Sequence, residues 1–173
     1  MNFEDAVEYV LQWEGSEYVD DPDDKGGGTK FGISKRQFPA VDIQNLTREE
    51  AIELYRVRYW EPNADLLSFC DDSRVEARLF IYDIFDCLVN TGRRTTVLLL
   101  QRAYNANFSY DLEEDGEWGP LSDRALSYCL NTVYADPVRV AFKCERASYY
   151  RVLAAKDPSQ EKFLAGWLRR AYA

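Results

Sequence analysis

Histidine is absent from all 173 residues. Its absence removes the Ser-His-Asp and Cys-His nucleophile systems and the commonest metal ligand together, so acid/base work falls to carboxylates. Cysteine is scarce and scattered: Cys70, Cys87, Cys129 and Cys144 form no C-x-x-C pair. A zinc site is therefore not expected, and buried free thiols are. Basic charge is also short, with 21 Lys and Arg against 30 Asp and Glu and a formal charge of -9. That balance argues against nucleic-acid binding, which needs a cationic stripe, and against an anionic membrane surface. No apolar run approaches the ~20 residues of a membrane-spanning helix. The start, MNFEDAVEYVLQW, lacks the basic stretch, apolar run and small-residue cleavage site of a secretory signal. The expectation is a soluble chain made in the cytoplasm, with no membrane insertion, whose work beyond the membrane needs an export route the sequence does not show.

What is present suffices for a core. Hydrophobic residues make up 46% of the chain and aromatics 14%, enough for one compact domain or two packed halves. A first helix is expected from Phe3 to Trp13, with Asn2 as N-cap and an apolar stripe of Phe3, Val7 and Val10. Four residues further along that stripe stands Glu14, a carboxylate where the period calls for a buried apolar side chain. GSEYVDDPDDKGGGTKFGIS then breaks the pattern, with short strands expected around Tyr18-Val19 and Thr29–Ile33. Capping boxes at Thr47/Glu50 and Ser73/Glu76 open helices to Tyr59 and to Asn90-Thr91-Gly92. Another helix covers Arg94–Tyr104 and is followed by a turn-rich loop, DLEEDGEWGPLS. The last two helices are announced by Asp136-Pro137 and Asp157-Pro158, the second with an apolar face of Phe163, Leu164, Trp167, Leu168 and Ala171. The fold class is mainly α: a helical bundle with one small irregular or β-hairpin loop forming a cleft.

Glycosidic bonds are cut by a protonated carboxylic acid beside the leaving oxygen and a second polar group that activates water or steadies the positive charge on the sugar. A glutamate at the end of an apolar stripe suits the acid, because desolvation disfavours a carboxylate. Its partner must come from the facing loop, where Asp20, Asp21, Asp23, Asp24 and Thr29 all lie. Spacing does not choose among the aspartates. Gly26, Gly27 and Gly28 let that backbone turn tightly or approach a sugar closely.

The segment W-E-G-S-E-Y-V-D-D-P-D-D-K-G-G-G-T-K-F-G-I-S resembles the signature of the glycoside hydrolase 108 family of phage and bacterial N-acetylmuramidases. There, a Glu-Gly-Gly at the end of the first helix precedes an Asp-x-Gly-Gly-x-Thr-x-aromatic-Gly-Ile loop. The resemblance implies a lysozyme-like α+β fold, a catalytic glutamate at Glu14, and loop positions at Asp24, Gly26, Gly27, Thr29, Gly32 and Ile33. It continues through A-I-E-L-Y-R-V-R-Y-W, F-D-C-L-V-N-T-G and L-Q-R-A-Y followed by D-G-E-W-G-P. The end, F-L-A-G-W-L-R-R-A, is similar to the family's peptidoglycan-binding segment. Implied are a catalytic part over residues 1–92 and a peptidoglycan-binding part over residues 93–173, packed as one compact unit. The implied activity is cleavage of the β-1,4 bond between N-acetylmuramic acid and N-acetylglucosamine, with Asp24 or a neighbouring loop aspartate, and Thr29, assisting Glu14. A phage or prophage endolysin with a holin-like export partner fits that picture. The chain departs from the family at Ser16, where the pattern has glycine.

Each candidate has a plainer reading. Asp24 and Thr29 can simply bond their own loop backbone. Asp20 to Asp24 superficially resembles a calcium loop but lacks the glutamate that closes an EF-hand, and no metal or organic cofactor is expected. Tyr55, Tyr59 and Trp60 could stack on sugar rings, yet aromatics at helical spacing more often fill cores. Asn90 serves equally as a helix cap or a ligand for a sugar N-acetyl group. Asp86 lies on an apolar stripe, where an aspartate usually organises hydrogen bonds. Asp115-Gly116 and Gly119-Pro120 read as turns. Ser16 and the acidic surface also admit a non-catalytic peptidoglycan-binding or secretion-associated module of the same fold. A transglycosylase is a third reading, distinguished by 1,6-anhydro ends.

Overall fold

A computed structural model describes residues 3–20, 27–67, 74–109 and 112–173. Among them are seven α-helices and one two-stranded antiparallel sheet, the mainly α, lysozyme-like architecture expected. None of the described helices is long and apolar enough to cross a membrane. Packing divides the chain into units Asn2–Ala64 and Asp65–Ala173. This line falls before the Gly92 boundary drawn between the two functional parts.

In the first unit, α1 (Phe3–Leu11) buries Phe3, Ala6, Val7, Val10 and Leu11, the stripe read from the sequence. It stops two residues before the expected Trp13 because the chain tightens: Trp13 N–H donates to Val10 O and Glu14 N–H to Leu11 O, each at 3.1 Å. These three-residue spacings wind the helix down and release Glu14 from it. Strands β1 (Thr29–Lys30) and β2 (Ile33–Ser34) form a hairpin, and Val19 bridges to Thr29. The two turn residues, Phe31 and Gly32, have φ of 51° and 72°, the double positive φ of a two-residue type I′ turn. Glycine accepts this freely; a bulky aromatic does not, so Phe31 is a strained position.

Helix α2 (Arg48–Tyr55) opens on the expected capping box: Glu50 N–H donates to Thr47 Oγ1 and Thr47 N–H to the Glu50 carboxylate. The helix does not run on to Tyr59 in α form. Residues Arg56–Trp60 make a π turn and Glu61–Asn63 a 3-10 turn, which rotates Tyr59 and Trp60 away from their α-helical phase. Ion pairs Arg48–Glu8 and Arg56–Glu4 tie this stretch to α1. The Trp60 ring meets Phe3 edge-on at 5.5 Å, and the Arg56 guanidinium lies over Phe3 at 4.2 Å.

The second unit contains α3 (Val75–Thr91), α4 (Arg93–Asn105), α5 (Pro120–Leu130), α6 (Ala135–Lys156) and α7 (Glu161–Tyr172). Helix α3 ends at Gly92, φ 81°, as the sequence indicates; the Ser73 member of its expected capping box lies outside the described residues. Helix α5 was not anticipated: Gly119-Pro120, read as a turn, is an N-cap followed by proline at the first helical position. Asp136 sits within the first turn of α6 rather than capping it. Asp157 behaves as expected, its carboxylate accepting from Ser159 N–H at 3.1 Å before a 3-10 turn into α7. Leu164, Trp167 and Leu168 of α7 pack on Ala147 and Tyr150 of α6.

At the centre of this unit Asp86 is almost fully buried. Arg146 Nη2 donates to its Oδ2 at 2.6 Å, and Arg170 Nη2 to its Oδ1 at 2.6 Å. One carboxylate thus joins α3, α6 and α7. Arg146 also donates to Tyr150 Oη at 3.2 Å, and although burial opposes its charge, Asp86 holds it firmly protonated. Asp83, one turn earlier, binds Arg139 at 2.6 Å and Lys143 at 3.6 Å. The D-G-E-W-G-P segment is a structural turn: buried Gln101 donates to Asp115 and accepts from Gly116 N–H at 2.9 Å. Cys70 lies outside the described residues, and Cys87 and Cys129 are buried, as expected, but Cys144 is exposed. It lies on the solvent side of α6, beside Lys143 and Glu145.

Candidate active site

Glu14 leaves the last turn of α1 and is half-buried. The next residue, Gly15, accepts a 2.8 Å hydrogen bond from Phe31 N–H, so the hairpin turn is stitched to the segment that carries the glutamate. Gly32, the second turn residue, lies directly against the side chain. A Cβ on Gly32 would stand 2.6 Å from Glu14 Cδ, 2.7 Å from Glu14 Oε2 and 2.6 Å from Tyr55 Oη. Glycine is therefore demanded here twice, by positive φ and by the approach of a carboxyl group and a phenol to one point.

Tyr55, the last residue of α2, is buried, and its hydroxyl donates to Phe31 O at 3.0 Å. The phenol proton is thus committed to the carbonyl of the strained residue, while its oxygen and the Glu14 carboxyl group both border the space a Gly32 Cβ would fill. Tyr59 packs against Tyr55 at 5.7 Å. Its phenol is pushed above the usual tyrosine range, first by burial and further by the charge of Glu14, with Arg58 opposing. The Glu14 carboxyl thus lies against the glycine turn, with Tyr55 bordering the same point and Tyr59 within reach of its charge.

Thr29 stands on β1, and its hydroxyl donates to Gly27 O at 3.2 Å, the local turn bond weighed against a catalytic role. Gly27 has φ 69° and shapes the same loop. Asp21, Asp23, Asp24 and Gly26 lie outside the described residues, as does most of the calcium-like loop. Among the described residues no three His, Cys, Asp or Glu side chains gather as a metal site.

Two comparisons bear on this geometry. Residues 7–92 match the model of glycosyl hydrolase 108, and residues 95–172 match that of a predicted peptidoglycan domain. The chain belongs to the glycosyl hydrolase 108 family. A solved structure from Brucella abortus, that of SagA, is 25% identical, superposes with a TM-score of 0.71, and is matched over 98% of this chain and 89% of that one. No curated protein matches. Family membership makes the chain a glycoside hydrolase, and the second model points to cell-wall peptidoglycan as its substrate.

Within the glycosyl hydrolase 108 segment, the remaining candidates are placed as follows. Tyr59 packs on Tyr55 and feels the charge of Glu14, whereas the half-buried Trp60 meets Phe3 edge-on. Asn90 belongs to the second unit, exposed near the end of α3, with its amide donating to Asp86 O at 2.7 Å. For Tyr55, read from the sequence with Tyr59 and Trp60 as either a sugar-stacking or a core aromatic, the structure gives a buried ring. The available signal was its hydroxyl, since a buried phenol needs a partner, and the i, i+4 pairing with Tyr59.

Proposed function

We propose that this glycosyl hydrolase 108 chain is an N-acetylmuramidase that hydrolyses the β-1,4 bond between N-acetylmuramic acid and N-acetylglucosamine, with Glu14 as general acid. The observation that carries the reading is the Glu14 carboxyl group held against Gly32 and Tyr55 where α1 ends. In the step, the bond from C1 of N-acetylmuramic acid to O4 of N-acetylglucosamine breaks, and the leaving oxygen takes the proton of Glu14. A water oxygen bonds C1, and its proton passes to a second carboxylate, which this reading assigns to Asp24. Thr29 supports the loop and orients that water. Tyr55 and Phe31 O fix the turn that keeps the acid aimed at the leaving oxygen, and Tyr59 supplies an aromatic wall for the sugar.

The test is digestion of purified peptidoglycan by the wild type and by Glu14→Gln, with mass spectrometry of the fragments. Muropeptides with reducing N-acetylmuramic acid ends from the wild type, and none from Glu14→Gln, support the reading. Ends of the 1,6-anhydro type would make the enzyme a transglycosylase. Intact glycan from both would make the chain a binding module.

A further inference from the structure

The second unit carries a groove that none of the chemistry above uses. It has a volume of about 370 Å³ and is lined by Tyr104, Leu112, Leu121, Arg124, Ala125 and Tyr128, from the end of α4, the following loop and α5. The volume falls within the ~300 to 1,000 Å³ range of small-molecule sites.

Its wall is a built aromatic assembly. Tyr104 stacks on Phe108 at 4.5 Å, Phe108 meets Tyr134 edge-on at 4.9 Å, and Tyr134 stacks on Tyr128 at 5.9 Å. Each ring is held by another, so presenting them to a ligand costs little rotamer entropy. Tyr128 is nonetheless 48% exposed, more than a ring serving only the core. Pyranose rings have an apolar C–H face that lies well on such a surface, with hydroxyls and amides left at the rim.

The groove also carries a positive charge. Arg93, Arg102, Arg139, Arg146 and Arg170 of the same unit each hold a carboxylate. Arg124 is exposed and has no such partner among the described residues. In a protein of net charge -9, a cation left open beside stacked tyrosines fits a ligand that brings its own carboxylate.

We propose that this groove binds an N-acetylmuramic acid residue of the glycan strand, with the sugar face on Tyr128 and the lactyl carboxylate on Arg124. The assignment rests on the peptidoglycan reading of the chain and gives its second unit a defined sugar site.

The test is co-sedimentation of the full chain with purified peptidoglycan sacculi, carried out in the Glu14→Gln background so that no strand is cut. Tyr128→Ala and Arg124→Ala are each expected to weaken binding roughly three- to tenfold, the scale of one aromatic or ionic contact. Tyr128→Phe, which keeps the ring, is expected to bind as the parent does. Chitin oligomers, which lack the carboxylate, are expected to compete without regard to Arg124. Undiminished binding by Tyr128→Ala and Arg124→Ala, with the fold intact by circular dichroism, overturns the groove assignment alone. Failure of the parent to sediment overturns the peptidoglycan reading as well. A dimer of the parent that Tyr128→Ala abolishes, with sacculus binding unchanged, would give the face to a second copy of the chain and also overturn the proposal.

Discussion

Substituting Gly32 by alanine separates the needs of the fold from those of the site. The residue has φ 72°, where an L-residue costs about 1 to 2 kcal/mol. The new Cβ would stand 2.6 Å from Glu14 Cδ and from Tyr55 Oη, against an ordinary contact of 3.4 Å or more. Relieving that overlap moves the carboxyl group by close to 1 Å, and overpacking adds about 1 to 3 kcal/mol. The melting temperature is expected to fall on the order of 10 °C, and glycan cleavage about 100-fold, the cost of misplacing a reacting group by 1 Å. Gly92→Ala supplies a backbone cost with no clash, and a severe one, since φ 81° and ψ 165° are adopted almost only by glycine and nothing lies within 4 Å of an added Cβ. Calorimetry of both variants, with initial rates of muropeptide release from sacculi at a temperature where both stay folded, makes the comparison. If Gly32→Ala loses no more activity than Gly92→Ala, the argument that Gly32 seats the acid is refuted.

Asp86→Ala leaves Arg146 buried with its principal counter-charge gone, which is expected to cost about 3 to 5 kcal/mol; denaturant unfolding of the full chain reads it, and a loss below 1 kcal/mol would contradict the geometry. The hydrogen bond from Arg93 holds the Asp65 carboxyl below the usual aspartate range. Its stabilisation is therefore present above the ordinary aspartate pKa and lost as pH falls through the lower, folded-state value. The difference in melting temperature between wild type and Arg93→Ala should accordingly be present at pH 6 and shrink in strong acid. Burial raises the Cys87 thiol and pushes Cys129 up to about 12, whereas Cys144 is exposed. Iodoacetamide at pH 8 should label Cys144 first and reach Cys87 and Cys129 only after unfolding, as peptide mass spectrometry would show.

Much of this was legible in the sequence because it was periodic or local. The α1 stripe, the Thr47/Glu50 capping box and the stop at Gly92 each depend on residues within a few positions of one another. What escaped depends on distant partners or on backbone states that residue type does not announce. Phe31 adopts a positive φ that phenylalanine avoids, held there by the closure of the hairpin, its N–H bond to Gly15 O and the bond from Tyr55 Oη, 24 residues away. The π turn at Arg56–Trp60 has no spacing signature, so Tyr59 and Trp60 looked equivalent, yet one packs on Tyr55 and the other on Phe3. Helix α5 was hidden by its own start, since glycine followed by proline announces a turn and a helix N-terminus equally well. The candidate acid was visible in Glu14, an interruption of a pattern, but its surroundings were not, because Gly32 and Tyr55 are ordinary residues until folding brings them together.

The buried carboxylate of Asp86 also bears on how such chains can be recombined. The match to glycosyl hydrolase 108 ends at residue 92, a tempting place to cut and exchange a hydrolase for another. Yet Asp83 and Asp86 lie on α3, inside that match, and their counter-charges, Arg139, Lys143, Arg146 and Arg170, all lie beyond it. A chimera joined at Gly92 inherits two anions from one parent and must find four matching cations in the other. A junction placed before α3 keeps both halves of this charge set in one parent, and a junction at Gly92 divides them.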